Sequence, residues 1–397
     1  MLAIRAARMF DGLRLHDRPL VLVGGDRIAD IDLTGAAPPA GAQLIDFAGA
    51  TLLPGFIDAH THLVFDASAD PAGHLEAVDD ETLLDEVRSA ARQELDAGVT
   101  CVRDLGDRSY LAVRLRAEAA ARPELGPDVV PAGPPITTPS GHCWFLGGAA
   151  DGADGVRQAV RAHASRGAAV IKVMVTGGRM TAGTAVDACQ FGADELRAAA
   201  DEAHRRGLPI TGHAHGRDGI AAAIEAGFDG VEHASFLTSK GLAPDPRVID
   251  ALAATGTVVS SGIPGTVPGV PLPPVITALL GQGIELMRSM VDAGVRIVIG
   301  PDAGIAPHRP HYVMPYAIAD TAQVMGNAQA LSAATCHAAA ACGLADRKGR
   351  LAAGFDADIV AVDGDPIADI NAIHSRIAVF HRGVRAAGGQ ARRLCTP

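Results

Sequence analysis

A pair of histidines separated by one residue is the first candidate for chemistry in this sequence. His60 and His62 end an apolar stretch that begins at Leu53 and reads as a β-strand. Side chains alternate between the two faces of a strand, so residues i and i+2 point the same way. Two imidazoles on one face suit a divalent metal, because neutral imidazole is a common ligand of zinc-like ions. Taken alone, the pair fits two polar loop histidines equally well.

A single lysine stands inside one of the most apolar stretches of the chain. Lys172 lies in the middle of residues 170–175, whose other members are valine, isoleucine and methionine. A lysine in a buried strand is rare, because removing its ammonium group from water is costly. Burial lowers the pKa of the amine, and the neutral amine can then form a Schiff base, or a carbamate that bridges two metals. A lysine whose charged end reaches solvent is the weaker interpretation.

Three other apolar stretches end in polar side chains. His213, His233 and Asp302 each come directly after a predicted strand. His213 and His233 lie six residues beyond Gly207 and Gly227, so they hold equivalent positions in consecutive units. Each residue alone is unremarkable, because strand-end histidines are often hydrogen-bonded loop residues and Asp-x-Gly is often a turn. Their joint occurrence with the histidine pair and the buried lysine favours a functional site.

The elements that must position these residues repeat along the middle of the chain. Each unit is an Ala-rich helical stretch, a glycine and an apolar strand, as in helix 83–97, Gly98 and strand 99–102. Glycine after a helix is typical of the left-handed cap, where the missing Cβ removes a steric penalty. Helices are likewise predicted at 154–166 and 193–206. Five further strands are predicted, each after a glycine: 169–175 after Gly167, 208–211 after Gly207, 229–233 after Gly227, 257–261 after Gly256 and 295–300 after Gly294.

A strand at 51–58 and another near 128–130 bring the total to about eight βα units. Apolar strands alternating with helices indicate a parallel sheet covered on both faces. We therefore expect an α/β fold with a (β/α)8 TIM barrel rather than an open sheet. In such barrels active-site residues lie at the C-terminal ends of the strands, so the polar residues above would form one ring.

Both ends of the chain read as short strands. Gly24-Gly25-Asp26 between apolar runs predicts a hairpin, and apolar runs return at 357–362 and 377–380. We expect a small β-sandwich domain built from both termini, residues 1–53 plus 350–397. The metal-dependent catalytic barrel would occupy residues 54–349.

Charge and composition argue against several kinds of partner. The net charge is -11 and no Lys/Arg tract occurs, which disfavours nucleic acid and anionic membranes. The N-terminal residues contain neither an 18-residue apolar run nor a signal-peptide core. The six cysteines show no Cys-x-x-Cys spacing and are expected to be reduced and mostly buried in a cytoplasmic protein. The expected partner is a small-molecule substrate.

Taken together, these motifs resemble the amidohydrolase superfamily. Within it, the chain is similar to the prolidase-like and acyl-amino-acid-hydrolysing branch, which is related to imidazolonepropionase and includes ochratoxinase-type enzymes. The motifs that carry the resemblance are residues 54–62 (PGFIDAHTH), 171–178 (IKVMVTGG), 213–216 (HAHG), 232–233 (EH), 302–304 (DAG) and 349–360 (GRLAAGFDADIV). They cover nearly the whole chain.

The resemblance implies two divalent metal ions. His60 and His62 would bind the more buried ion, His213 and His233 would bind the second, and Lys172, carboxylated to a carbamate, would bridge them. Zinc is expected, although manganese, cobalt and iron suit the same donors. The family also forms even-numbered assemblies, so a homo-oligomer is expected.

The resemblance further implies the reaction. Asp302 would contact the metals and act as general base, then as acid, while a metal-bridging hydroxide attacks the C–N amide bond of an N-acyl-amino acid, a dipeptide or a related small amide. His142 resembles a histidine that polarises the substrate carbonyl, although a turn histidine is nearly as good an interpretation. His215 departs from the pattern, since many relatives with carboxypeptidase activity have a tyrosine there next to the substrate carboxylate.

Residues on the loops after the fourth and eighth strands complete the candidate site. Arg179, His308, Arg309 and His311 are candidates for binding a substrate anion, although a solvated surface position is the default interpretation for each. Gly178, at the end of the lysine motif, is a further candidate substrate contact.

Other activities remain open on the same framework. A cyclic-amide hydrolase or a mononuclear deaminase of the imidazolonepropionase type is the main alternative. Deaminases of this superfamily usually have glutamate where this chain has Gly216, and they lack the bridging lysine. Hydrolysis of a lactone or phosphotriester is chemically possible. A non-catalytic scaffold is disfavoured, because such proteins have typically lost metal ligands that this chain retains.

Overall fold

The computed structural model describes residues 1–263 and 265–387. The strands in chain order are β1 (Leu2–Phe10), β2 (Leu15–Asp17), β3 (Leu20–Gly24), β4 (Arg27–Asp32), β5 (Gln43–Pro54), β6 (Phe56–Thr61), β7 (Val99–Asp104), β8 (Asp128–Pro131), β9 (Ile171–Met174), β10 (Ile210–Ala214), β11 (Gly230–His233), β12 (Leu237–Thr238), β13 (Gly241–Leu242), β14 (Val258–Ser261), β15 (Ile297–Ile299), β16 (Ile359–Val362), β17 (Arg376–His381) and β18 (Val384–Ala387).

The helices are α1 (Pro71–Ala77), α2 (Asp80–Asp96), α3 (Leu111–Ala121), α4 (Gly152–Ser165), α5 (Ala193–Arg205), α6 (Arg217–Glu225), α7 (Pro246–Thr255), α8 (Pro274–Asp292), α9 (Met314–Met325), α10 (Asn327–Ala333) and α11 (Cys336–Ala341), with short 3₁₀ helices at Trp144–Leu146 and Ile370–His374. None of the helices in the described ranges is long and apolar enough to cross a membrane.

Two parallel sheets form the middle of the molecule. Strands β6, β7 and β8 make one sheet, and β9, β10, β11, β14 and β15 make the other. Ile136, after β8, pairs with β9: its N–H donates to Lys172 O and its carbonyl accepts from Met174 N, both at 2.8 Å. At the other junction Asp302 N donates to His60 O at 2.8 Å, which ties the end of β15 to β6. This arrangement is consistent with a TIM barrel.

The helix–glycine–strand units are confirmed in their essentials. Helix α2 begins where the Asp79 carboxylate accepts from Thr82 N at 2.8 Å, and it buries an apolar face at Leu83, Val87 and Leu95. The predicted capping glycines all have positive φ, between 68° and 93°: Gly98, Gly167, Gly207, Gly227, Gly256 and Gly294. Each unit therefore reverses direction at a backbone conformation that other residues avoid.

The single strand predicted at 51–58 is wrong. Residues up to Pro54 belong to β5 of the terminal sheet, and Phe56 begins β6 of the parallel sheet. Gly55 separates them, and its N–H donates to Asp358 O at 3.0 Å. A Cβ at Gly55 would lie 2.1 Å from Thr100 Oγ1, so only glycine allows the chain to pass between the two sheets here.

Strands from both ends of the chain share one sheet. Its order is β18-β17-β16-β5-β1-β3-β4, with β2 paired to β1, so all eight strands are hydrogen-bonded into a single sheet. The predicted hairpin over Gly24-Gly25-Asp26 is confirmed as antiparallel β3 and β4. Side chains from both halves pack into one core, for example Ile4, Leu52 and Phe380. Residues 388–397, including Cys395, lie outside the described residues.

A buried ion-pair network joins the two regions. Lys348, 2% exposed, lies 2.7 Å from Asp128, 2.9 Å from Asp356 and 2.6 Å from Asp358. Asp128 begins β8, whereas the other two carboxylates lie just before β16. These four residues are called the Lys348 cluster below. Because a buried ammonium needs compensating charge, the cluster fixes the terminal sheet against the parallel strands.

Candidate metal centre

All six predicted metal ligands line one cavity of about 810 Å³. They lie in or directly after strands β6, β9, β10 and β11, or in the segment after β15: His60, His62, Lys172, His213, His233 and Asp302. Parallel strands bring their C-terminal ends to one side of the sheet, so residues far apart in sequence become neighbours there.

The contacts of the two Nδ1 atoms indicate which nitrogen of the His60 and His62 rings carries a hydrogen. His62 Nδ1 lies 3.0 Å from Gly106 O, and a carbonyl only accepts, so Nδ1 carries the hydrogen. His60 Nδ1 lies 2.9 Å from a carboxylate oxygen of Glu232. In neutral rings with the hydrogen on Nδ1, both Nε2 atoms would present lone pairs, and these two atoms face each other at 3.3 Å. Lone pairs at this distance repel unless they share a cation, so this donor set fits a metal ion.

A second histidine group lies beside the first. His213 Nε2 lies 3.1 Å from Gly177 O and so carries the hydrogen, which leaves the lone pair of the neutral ring on Nδ1, 2.9 Å from His233 Nε2. The ring of His215 stacks on that of His233 with centroids 4.5 Å apart, and His215 Nδ1 lies 2.8 Å from Ser235 Oγ. Potential ligand atoms of His213, His215 and His233 lie within 4.8 Å of one another. His215, predicted as a substrate contact, thus also belongs to this potential ligand group.

Lys172 is buried rather than reaching solvent. The side chain is 1% exposed, and Nζ lies 3.4 Å from His60 Nε2. Burial lowers the pKa of the amine, which favours the neutral form that reacts with electrophiles. The alternative of a lysine that extends its charge to the surface is therefore wrong.

Two residues of the site adopt backbone conformations that are unusual for non-glycine residues. Asp302 has φ of 61° and His233 has φ of 71°, both in the left-handed region. Such a conformation costs a non-glycine residue about 1–3 kcal/mol and persists only where its surroundings enforce it. At Asp302 the backbone bond to His60 O supplies that enforcement and brings Oδ1 within 3.4 Å of His60 Nε2 and 3.3 Å of His62 Nε2.

The electrostatics of the cavity keep these groups in the forms that bind metals. Burial, assisted by the charge of Lys172, lowers the pKa of His60 to about 4. Burial also holds the pKa values of His213 and His233 well below the usual range. Burial alone would raise the pKa of Asp302, but its interactions with His60, His62 and the Arg309 guanidinium outweigh burial and hold that pKa well below its ordinary value. Neutral imidazoles and an ionised carboxylate are the states required for metal binding.

Sequence reasoning missed the groups that hold His60 in place. Glu232 is fully buried and accepts from Arg103 Nη2 at 2.8 Å and from Thr211 Oγ1 at 2.6 Å. Its other oxygen faces His60 Nδ1. Arg103, 4% exposed, also donates from Nε to Ala59 O at 2.6 Å. The signal that could have found them is the one that singled out Lys172, namely a charged residue inside an otherwise apolar strand.

His142 lies at the edge of the same cavity. It is buried, and no described residue is a hydrogen-bond partner for its Nδ1. Burial and then the nearby Lys172 charge lower its pKa to about 4, so the ring is neutral. A Cβ at Gly178 would lie 2.2 Å from His142 Nε2. Gly178 therefore supports the imidazole ring from behind and does not itself line the cavity.

The loop residues divide into those at the cavity and one outside it. Arg179, His308 and Arg309 line the cavity. Arg309 Nη1 lies 4.0 Å from Asp302 and Nη2 donates to Gly262 O at 3.1 Å, so it is anchored rather than solvated. His311 is not among the residues that line the cavity. Its Nε2 donates to Phe65 O at 2.8 Å, which directs the ring into the protein interior and away from a substrate.

The sequence is similar to those of several known proteins. A model of the amidohydrolase family matches residues 51–384. Ochratoxinase from Aspergillus niger is 32% identical over 237 residues, which is 58% of this chain and 48% of that protein, so the match spans about half of that relative's length. Imidazolonepropionase from Deinococcus radiodurans is 29% identical over 391 residues, 91% of this chain and 89% of that protein.

Solved structures agree with this relationship. A Xaa-Pro dipeptidase with methionine bound in its active site superposes with a TM-score of 0.85 and 26% identity, covering 98% of this chain and 100% of that one. The ochratoxinase structure from A. niger, at 24% identity and a TM-score of 0.82, shows the same fold. On the family match over most of its length, this chain belongs to the amidohydrolase family.

Proposed function

We propose that the protein is a binuclear metal-dependent hydrolase that cleaves a C–N amide bond in an N-acyl-amino acid, a dipeptide or a related small amide. The observation that carries the proposal is the approach of His60 Nε2 and His62 Nε2 to 3.3 Å, with Asp302 Oδ1 within 3.4 Å of both atoms and Lys172 Nζ 3.4 Å from His60 Nε2. The proposal is also supported by the chain's membership of the amidohydrolase family and by its similarity to a Xaa-Pro dipeptidase and to ochratoxinase.

The residues divide into two ligand groups in this proposal. His60, His62 and Asp302 would hold one divalent ion, and His213 with His233 would hold the other. The neutral amine of Lys172 would add to carbon dioxide, forming an N–C bond and releasing a proton, and the resulting carbamate would supply an anionic ligand shared by both ions. We propose zinc, while manganese, cobalt or iron suits the same nitrogen and oxygen donors. Bound ions of this kind lower the pKa of a coordinated water and polarise a carbonyl.

The remaining chemistry belongs to the protein's own groups. Asp302 is ionised and faces the ligand nitrogens, so its carboxylate can accept a proton from water and then donate it to the leaving amine. Arg309 stays fixed by its backbone contacts beside that carboxylate. The neutral His142 ring, unpartnered at Nδ1 among the described residues, can donate to the substrate carbonyl oxygen. Arg179 and His308 are proposed to contact the substrate, and so is His215 where it is not a ligand.

Hydrolysis of a cyclic amide is the second candidate. It rests on the match to imidazolonepropionase, which extends over 91% of this chain. The same metal ligands and the same Asp302 would serve both reactions, because a cyclic amide presents the same scissile bond. An assay that includes cyclic and acyclic amides therefore separates the two candidates.

The architecture and assembly are part of the proposal. We propose that the two parallel sheets close into one (β/α)8 barrel through the contacts at Ile136 and Asp302. The terminal sheet would form a sandwich-like small domain, with boundaries near residues 53 and 350. A cytoplasmic location and an even-numbered homo-oligomer remain predictions. Light scattering of the purified protein would test the second by measuring the mass of the assembly.

The decisive experiment measures metal content per chain together with amine release. Protein purified without chelators should contain two divalent ions and hydrolyse at least one member of a panel of N-acyl-amino acids, dipeptides and cyclic amides. Lys172→Ala should lose both activity and the two-ion loading, because the bridge is absent. Lys240→Ala, at an exposed lysine, is the matched control and should retain both. Two ions in Lys172→Ala would contradict the carbamate assignment.

A further inference from the structure

One wall of the cavity is formed by an apolar face of helix α8. Residues Val275, Ile276, Leu279, Leu280, Ile284 and Met287 line the same cavity as the metal-binding groups. Their spacing of one, three and four residues places them along one side of the helix. The cavity therefore changes from polar at the strand ends to apolar along α8.

Core packing explains only the second half of this face. Leu286, Met287 and Met290 are buried in the core formed with the parallel strands. In the first half, Val275 is 43% exposed and Leu280 is 41% exposed. Large apolar side chains left uncovered on a continuous face usually mark a binding surface. Here the face is continuous with the cavity that contains the catalytic groups.

Apolar side chains outside α8 also line the cavity. Met180, Leu237, Leu242 and Ile263 line it. Leu237 and Leu242 pair across the β12–β13 hairpin, and Leu242 N donates to Gln282 Oε1 of α8 at 3.4 Å. The hairpin thus contacts α8, and its leucine side chains extend the apolar lining of the cavity.

The size of the cavity separates the substrate classes. A volume of about 810 Å³ lies in the upper part of the range for pockets that enclose drug-sized ligands, roughly 300–1,000 Å³. A small dipeptide or an N-acetyl amino acid would leave most of the α8 wall in contact with water. An amide that carries an aryl group or a medium-length alkyl chain would cover it and gain its hydrophobic free energy.

We propose that the apolar wall formed by α8 and the β12–β13 hairpin binds a bulky aryl or alkyl group attached to the amide that is cleaved at the metal centre. The inference rests on the proposed amide hydrolysis for the identity of the substrate. The apolar site itself does not depend on turnover. Its occupant is a small molecule, because the face opens onto the catalytic cavity rather than standing apart from it.

The first test measures binding without hydrolysis. N-phenyl-1-naphthylamine, a neutral probe whose fluorescence rises in apolar surroundings, should bind the wild-type protein. Leu279→Asn and Ile276→Asn should each weaken binding at least fivefold, because they place an amide group in the apolar wall. Thr277→Asn puts the same residue on the exposed side of α8 and is the matched control, with unchanged affinity expected.

The second test measures turnover with two matched series of amides, one lengthening the acyl group and one lengthening the amine side chain. In the series whose lengthened group contacts the apolar wall, kcat/KM should rise about twofold to fourfold per added methylene until the cavity is filled. Leu279→Asn should flatten that rise, whereas Thr277→Asn should leave it unchanged, because only Leu279 lies in the apolar wall.

The outcomes distinguish the two proposals. Weakened probe binding in Leu279→Asn with no hydrolysis of any amide would support the apolar site and overturn the proposed function. Hydrolysis with a flat dependence on chain length in both series would support the function and overturn the apolar-group inference. Unchanged probe binding with a changed oligomeric state in Leu279→Asn would show that a second copy of the chain covers α8. That result would also overturn the apolar-group inference.

Discussion

Replacing Glu232 with glutamine is expected to destabilise the fold and the metal centre together. The substitution keeps the size of the side chain and removes its negative charge. Glu232 is fully buried, accepts from Arg103 at 2.8 Å and from Thr211 at 2.6 Å, and faces His60 Nδ1 at 2.9 Å. In the variant Arg103, 4% exposed, keeps its bond to Ala59 O but loses its counterion.

The magnitude follows from the buried guanidinium. Removing one partner of a buried ion pair costs about 3–5 kcal/mol, because the remaining charge cannot regain its hydration. A typical domain has only about 5–15 kcal/mol of stability in total, so the loss would be large. The His60 ring would also lose the carboxylate that fixes its orientation, and loss of such an orienting group weakens metal binding by roughly 10–100-fold.

Urea unfolding followed by circular dichroism, with chelator present, would measure the stability change without the metal contribution. Glu225→Gln, at an exposed glutamate on α6, is the matched control and should change stability by less than about 0.5 kcal/mol. Metal affinity of the folded variant is measured separately by titration against a competing chelator.

A double-mutant cycle then tests the cause. Arg103→Met combined with Glu232→Gln removes both charges, so the double variant should be destabilised by at least about 2 kcal/mol less than the sum of the single variants. Additivity within about 0.5 kcal/mol, or a loss below about 1 kcal/mol for Glu232→Gln alone, would refute the assignment of Glu232 as the counterion of Arg103.

Three further predictions come from other parts of the molecule. Gly178→Ala should lower kcat with little change in the circular dichroism spectrum, because the new Cβ would lie 2.2 Å from His142 Nε2 and displace that ring. Gly281→Ala should raise the free energy of unfolding in urea by up to about 1 kcal/mol, since the position is inside α8 with open space around a Cβ. For His381, burial lowers the pKa of the ring but the carboxylates of the Lys348 cluster outweigh it and raise the pKa. Its stabilising effect is therefore complete below its ordinary pKa of about 6.5 and is lost as the pH rises through the raised value. Wild-type urea midpoints should fall more steeply with increasing pH than those of His381→Asn; parallel profiles would contradict this.

Local patterns predicted most of the element order. A glycine that ends a helix needs positive φ whatever the rest of the chain does, so Gly98 and Gly294 could be assigned from their neighbours alone. The prediction of a single strand across residues 51–58 was wrong because the boundary there depends on a contact with a distant residue. Pro54 and Phe56 are both apolar and extended, and only the close approach of Thr100 to Gly55 divides them between two sheets.

The candidate ligands could also be identified from sequence, because polar residues in apolar strands contradict the pattern around them. His60, Lys172 and Asp302 carry this signal, and the structure brings all three into one cavity. The surroundings of each ligand could not be predicted. His311 shows the limit, since its position beside the loop histidine His308 gave no indication that its ring turns inward to Phe65 O.

By itself, then, the sequence identified the candidate metal ligands and the strands that carry them, because residue type and short-range periodicity are local properties. Only the tertiary structure decided which nitrogen of each ring is free, which carboxylate orients His60, and how large and apolar the cavity under α8 is. These properties arise from contacts between segments that are distant in sequence, such as His62 with Gly106, 44 residues apart, and Arg103 with Glu232, 129 residues apart. Such pairings depend on which strand ends become neighbours when the parallel sheets assemble, and no short stretch of sequence encodes them.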